Sequence, residues 1–266
     1  RSSDLAAPSY RKILERFQPE ILLGLTATPE RLDGFDISSL FGGSISAEIR
    51  LPEALNRGLL CPFQYFGISD NTDLSNVSWK RGRYDTSELE KVYGEDERRV
   101  LDILRNCHKY LLDATTVRCL GYCASQRHAE FMAIAFQKAG LKADYLVSSR
   151  TEETGKNFRT QVLQQLGRGE INYLFVVDIL NEGVDIPEID TLLFLRPTES
   201  LTIFLQQLGR GLRLHEGKSC LTVLDFVGRQ HEEYSFEHKF RAMLGRTHRS
   251  IRDEVSDGFP HLPLGC

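Results

Sequence analysis

Residues 173–195 read YLFVVDILNEGVDIPEIDTLLFL. Two short apolar runs, YLFVVD and DTLLFL, bracket a polar loop, and neither alternates apolar with polar side chains. Such runs fit strands buried on both faces, as strands of a parallel sheet are. The same unit repeats outward from this stretch. VRCLGYC (117–123) and ADYLV (143–147) precede it as strands, and CLTVLDFV (220–227) follows it. Between them lie helical faces. Val100, Ile103, Leu104, Cys107 and Leu111 form one, and Ala129, Met132, Ala133 and Phe136 a second. Phe158, Val162 and Leu166 form a third, and a further helix starts at Ser200. Buried strands alternating with amphipathic helices predict an α/β fold, a parallel sheet with helices on both faces.

The flanks are less regular. ILLGL (21–25) reads as another strand buried on both faces, followed by a loop, TATPERLDGFD. Residues 51–63 predict a short helix and a turn at Gly58 and Pro62, with a strand QYFGI after it. Residues 69–98 are polar, with eight acidic and four basic side chains between 70 and 97, and read as an insertion or linker. From His231 the chain is helical at first, then rich in Gly and Pro at GFPHLPLGC.

The 266 residues are 41% hydrophobic and 26% charged, which fits a globular chain and excludes a disordered polymer, a collagen and a coiled coil. No apolar run approaches the ~20 residues of a membrane span, and no signal peptide opens the sequence. A formal charge of −4 excludes a uniformly basic coat protein but not a local basic site. Ser200–Arg252 holds nine Lys and Arg against five Asp and Glu. The six cysteines form no CxxC pair and the histidines no HExxH, so no metal site is expected. Buried thiols in a reducing cytoplasm are the expectation.

Ligands of open parallel sheets bind beyond the carboxyl ends of the strands. Two segments attract attention. VVDILNEGVDIPEID (176–190) concentrates Asp178, Asn181, Glu182, Gly183 and Asp185. QQLGRGLR (206–213) puts Gln206, Arg210 and Arg213 within ~60° of one another on a helix, opposite Leu201, Phe204, Leu205 and Leu208. Two guanidiniums and a carboxamide aimed one way form a clamp for phosphate oxygens, where the plainer alternative is a solvated basic face. A second QQLGRG, at 164–169, lacks the later arginine and reads as a helix end capped at Gly167. Gly217-Lys218-Ser219 is not a P-loop, because its spacing from Gly211 is wrong and it precedes a strand.

LTATP (25–29), LGYCASQRHAEFMA (120–133), LNEGVDIP (180–187) and QQLGRGLR resemble, in order, motifs III, IV, V and VI of superfamily 2 helicases. The run 181–214 is most similar to bacterial DEAD/DEAH-type helicases related to restriction-enzyme translocating subunits. The resemblance implies two RecA-like lobes with ATP and Mg²⁺ in the cleft between them, bound mainly by a first lobe. No Walker A loop or DExH motif occurs here. The implied organisation is therefore the tail of a first lobe at 1–50, and a connector with an acidic insertion at 51–98. A second RecA-like lobe then spans 99–230, and 231–266 begins a C-terminal extension.

By resemblance, Arg210 and Arg213 reach the γ-phosphate and Gln206 helps to position it. Gly183 and Asp185 of motif V couple nucleotide to nucleic acid, with Asn181 and Glu182 on the nucleic-acid side. Thr26 and Thr28 of motif III link hydrolysis to lobe movement, and Ser125 of motif IV lies near the nucleic-acid backbone. Many relatives carry Thr at the start of motif V, where this chain has Val177-Asp178, so no hydroxyl contact is expected from that position. The implied function is the motor lobe of an ATP-dependent helicase or translocase, with DNA favoured over RNA. Without a first lobe, 1–266 alone is expected to be inactive. The competing expectation is a non-catalytic module that binds nucleic acid or protein. Basic residues near Lys239, Arg241, Arg246, Arg249 and Arg252 either extend the nucleic-acid track or form a solvated helix face.

Overall fold

A computed structural model describes residues 12, 16–17, 20–24, 41–80, 82–154, 156–177, 186–198, 200–244 and 247–266. Residues 1–50 and 51–266 are two separate units. In the first, the expected strand at 21–25 is not formed over its described part. Ile21 and Leu23 are 85% and 76% exposed. An apolar strand needs neighbours to cover it, and no described residue of 1–50 pairs with this one as a strand. Thr26 and Thr28 lie outside the described residues.

The second unit runs α1 (Leu51–Asn56), β1 (Phe63–Asp73), β2 (Trp79–Lys80), β3 (Arg83–Tyr84), α2 (Thr86–Val92) and α3 (Glu97–Tyr110). It continues β4 (Cys119–Tyr122), α4 (Gln126–Lys138), β5 (Ala143–Leu146), α5 (Ser148–Thr154), α6 (Lys156–Arg168) and β6 (Tyr173–Val176). It ends β7 (Thr191–Phe194), α7 (Leu201–Gly211), β8 (Leu221–Arg229), α8 (Glu237–Met243) and α9 (Ile251–Ser256). Six strands form one sheet in the order β1-β8-β7-β4-β6-β5, and every pair is parallel. Helices cover both faces, as the alternation predicts. This is the RecA-like α/β architecture.

The strand sequences sort their side chains by the period of two. Cys119, Tyr173, Phe175, Leu193, Leu224 and Phe226 face the side covered by Ile103, Met132 and Phe136 of α3 and α4. Leu120, Leu174, Val176, Leu192, Phe194 and Val223 face Val162, Leu166, Phe204 and Leu208 of α6 and α7. Four of the six cysteines are buried and all six are free thiols, so burial as small apolar groups accounts for those four. Gly121 is required in β4, because a Cβ there would come within 2.5 Å of the Phe175 ring on the neighbouring strand.

Three local expectations need correction. The polar stretch 69–98 is not a bare linker: β1 extends to Asp73, and Leu74, Val77, Tyr84, Leu89 and Tyr93 build a small core against Ala124. Most of its described charges are exposed, Asp70 excepted, and this hides a short apolar pattern from a composition count. At the second QQLGRG, Gly167 lies inside α6, and Gly169, at φ +74°, ends the helix. There the Gly169 N–H donates to the Leu166 carbonyl, and the Glu170 N–H to that of Gln165. Lys239 is neither solvated nor available to a nucleic acid. It is 5% exposed and ion-paired with buried Asp225 of β8, which also accepts the Tyr65 hydroxyl. Arg241 and Arg249 pair with Glu237 and Asp257, Arg252 is exposed, and Arg246 lies outside the described residues. No helix among the described residues is long and apolar enough to cross a membrane.

Candidate nucleotide and nucleic-acid site

Helix α7 decides where the candidate phosphate clamp sits. Ser200 caps its N-terminus just past the carboxyl end of β7, and Phe204 and Leu208 bury its inner face. The helix then runs back along the sheet. At its last residue, Gly211, a Cβ would lie 2.4 Å from Leu221 at the start of β8, and the Leu212 carbonyl accepts the Cys61 N–H just before β1. The backbone that follows Arg210 therefore reaches the amino edge of the sheet, while the Arg210 charge is felt at the hydroxyl of Tyr122, the last residue of β4. Gln206 and Arg210 are half-buried on the outer face. Arg213 is also half-buried, but it lies beyond the helix, which stops at Gly211 with Leu212 as its cap. Helical spacing thus aligns Gln206 with Arg210 and does not place Arg213.

What places Arg213 is Lys218. Its ammonium donates to the carbonyls of Gly211 (2.5 Å), Arg213 (2.9 Å) and Pro187 (3.3 Å). A helix leaves its last carbonyls without partners, and a cation satisfies them with favourable charge. Burial lowers the Lys218 pKa, with the nearby Cys61 and Asp190 opposing the shift. The rejected P-loop lysine is therefore a clasp joining the end of α7 to Pro187, the last residue of the LNEGVDIP stretch. Asp178, Asn181, Glu182, Gly183 and Asp185 lie outside the described residues, and Ile186, directly after them, is buried in the core.

Sequence reasoning also passed over Gln207. Its side chain is 2% exposed, its Oε1 accepts the Thr198 hydroxyl at 3.4 Å, and its carbonyl accepts the Tyr122 hydroxyl at 3.2 Å. These contacts fix the rotation of α7 about its axis. The signal was there, since Gln207 falls on the face of Phe204 and Leu208.

Ser125 stands at the opposite, carboxyl edge, after β4. It is 8% exposed and caps α4, its Oγ accepting the His128 N–H at 3.1 Å. A hollow of about 390 Å³ beside it is lined by Ser125, Arg127, His128, Glu90 and Glu95 among others. Arg127 is tied to Glu95 at 2.9 Å. Beneath it, buried Arg99 donates to Asp70 (2.8 Å) and to the Leu195 carbonyl (2.9 Å), and lies 4.6 Å from the centre of the Tyr93 ring. His128 stacks on Tyr93, and its Nδ1 accepts the Ala124 N–H. Burial, then the charge of Arg99, drive its pKa down to about 3, so the imidazole stays neutral. This network joins β1, α3, β4 and the end of β7.

Residues 100–215, from α3 to just past Arg213, match the family model described as the helicase conserved C-terminal domain. This part of the chain is a helicase C-terminal domain. The domain is related to ATP-dependent helicases and to restriction-enzyme subunits. The Saccharomyces cerevisiae protein IRC3, which bears the name of an ATP-dependent helicase, is 28% identical over 84% of this chain and 32% of its own length. The EcoAI type I restriction endonuclease subunit of Escherichia coli is 25% identical over 97% of this chain and 34% of its own. The chain thus spans about a third of these relatives. A fragment of an HsdR subunit of a type I restriction enzyme from Vibrio vulnificus YJ016 has the same fold. Its TM-score is 0.63 at 23% identity, covering 82% of this chain and 42% of that one. The superfamily 2 helicase resemblance read from the motifs accords with this family.

Proposed function

We propose that this helicase C-terminal domain is the second motor lobe of an ATP-dependent nucleic-acid translocase that acts in the cytoplasm, with DNA as the favoured track. The observation that carries the reading is the end of α7. Gln206 and Arg210 share an outer face, and Arg213 follows on a turn clasped by Lys218. Guanidiniums held on ordered backbone suit a triphosphate, because they offer fixed, permanently charged donors. In this reading Arg210 and Arg213 donate to γ-phosphate oxygens as charge builds on them, and Gln206 orients the same group. ATP with Mg²⁺ supplies the phosphoryl chemistry and is bound mainly by a first lobe, of which residues 1–50 are the tail. Residues 51–98 lead into the lobe at 99–230, and 231–266 extend it. Thr26, Thr28, Gly183 and Asp185 belong on the nucleotide side, and Ser125, Asn181 and Glu182 on the nucleic-acid side.

The test is the nucleic-acid-stimulated ATPase of the intact protein with single-stranded DNA, duplex DNA and RNA in parallel. Arg210→Ala should lower kcat by ~10³-fold or more with an unchanged melting temperature. Wild-type turnover in that variant removes Arg210 from the mechanism and leaves a lobe that binds without driving hydrolysis. Residues 1–266 alone should not turn over ATP.

A further inference from the structure

The stretch read as an acidic insertion contains a basic hairpin, WKRGRY at 79–84. β2 and β3 pair antiparallel with Trp79 opposite Tyr84 and Lys80 opposite Arg83, and Gly82, at φ +75°, sits in the two-residue connection. A two-stranded ribbon alone is marginal in water. This one is anchored along one face. Tyr84 is 5% exposed, and its ring lies edge-on to Trp79 at 4.8 Å. Trp79 stacks on His231 at 5.5 Å, while the Tyr84 hydroxyl donates to Gln230 and accepts the His231 N–H at 2.7 Å. The aromatic face points inward, so the alternation turns Lys80 and Arg83 outward, and both are exposed.

Two cations directly opposite each other on a ribbon repel. The nearby acids do little to relieve them. Asp85 caps α2 through Oδ1, accepting the Ser87 and Glu88 N–H groups, and its Oδ2 lies 4.0 Å from the Lys80 ammonium. Glu88 accepts the Ser78 N–H and hydroxyl, both at 2.8 Å. Lys80 and Arg83 thus face outward on an anchored ribbon, with Asp85 at the outer limit of an ion pair with Lys80. The hairpin stands at the carboxyl edge of the sheet, its core packing against Ala124, which precedes Ser125. An extended polyanion is the ligand class that neutralises such a pair.

We propose that the 79–84 hairpin contacts the phosphate backbone of a nucleic acid through Lys80 and Arg83. The inference rests on the reading of this domain as a nucleic-acid motor lobe. Each neutralised phosphate contributes about 0.7 (single strand) to 0.9 (duplex) to the slope of log K against log salt. The experiment measures anisotropy of a labelled DNA oligonucleotide, single-stranded and duplex, and of the matching RNA, with the intact protein from about 50 to 200 mM salt. The Lys80→Ala/Arg83→Ala variant should lose about 1.4–1.8 from the slope and bind several-fold more weakly at the lowest salt. Arg83→Gln alone should lose about half of that, with unaltered melting temperatures throughout. Wild-type slopes and affinities in both variants overturn the hairpin contact and leave the motor reading intact. A wild-type protein that binds none of the three nucleic acids overturns both.

Discussion

Lys218 donates to the carbonyl of Arg213, five residues before it, at 2.9 Å and so fixes the backbone of the residue proposed to meet the γ-phosphate. The same ammonium holds Gly211 and Pro187. Lys218→Met keeps the length of the side chain and removes all three hydrogen bonds. Stranding the carbonyls should cost about 1–3 kcal/mol, read as a fall in melting temperature. Turnover by the intact protein should fall further than that of a control variant matched for stability. Equal losses in the two would make the clasp purely structural.

Gly209 and Gly211 flank Arg210, and their surroundings predict opposite effects of the same substitution. A Cβ at Gly209 meets nothing within 4 Å, so Gly209→Ala should stabilise α7 by about 0.5–1 kcal/mol through helix propensity alone. A Cβ at Gly211 meets the fully buried Leu221 at 2.4 Å, so Gly211→Ala should destabilise by about 1–3 kcal/mol. Denaturant titration of both variants checks the signs. A Gly209→Ala protein that gains stability but loses ATPase activity would show that a ligand needs the space.

His128 makes stability depend on pH. Its folded pKa is about 3, against an ordinary value near 6.5 in the unfolded chain. Between those values the unfolded chain takes up a proton that the folded protein refuses. The contribution is therefore intact above pH ~6.5 and is lost progressively as pH falls toward 3, by up to ~1.4 kcal/mol per pH unit. His128→Gln should flatten the decline in melting temperature between about pH 6.5 and 4.5 relative to wild type. Parallel curves would mean that other groups set the acid limit.

The buried pair of Asp225 and Lys239 should respond asymmetrically. Lys239→Met leaves a carboxylate 3% exposed, with the Tyr65 hydroxyl still donating to it, and should cost about 3–5 kcal/mol. Adding Asp225→Asn should recover part of that loss, because the stranded charge disappears. A double variant as unstable as the sum of the single changes would show the two groups to be uncoupled.

The sheet was legible because its strands are covered on both faces and so read as unbroken apolar runs, YLFV and TLLF most clearly. The helices showed through their spacing, and Met132 and Phe136 are buried as that spacing requires. What escaped was set by contacts distant in sequence. Lys239 looked like one more surface cation until Asp225, fourteen residues away on a central strand, supplied its partner. Arg213 looked helical because a wheel has no knowledge of where a helix stops, and Leu221 and Lys218 help to end this one at Gly211. Hairpin 79–84 was hidden because charge was averaged over a window in which acids and bases occupy different surfaces. At the candidate site, sequence pattern singled out the residues of α7, while the clasp that orders its end had been set aside as a failed P-loop.

The strand order carries a consequence for biosynthesis. Phe63 of β1 pairs with Leu221 of β8, and among the described residues β1 has no other neighbour in its sheet. As the chain leaves the ribosome, β5, β6, β4 and β7 can assemble locally while β1 waits for a partner made much later. Pairings of such long sequence separation form slowly, because closing the loop costs entropy before the contact returns any stability. The nascent lobe thus passes through an interval in which β1 and the inner margin of β7 both lack the partner that β8 supplies. That is the interval in which a chaperone, or a misplaced strand from another chain, would find it.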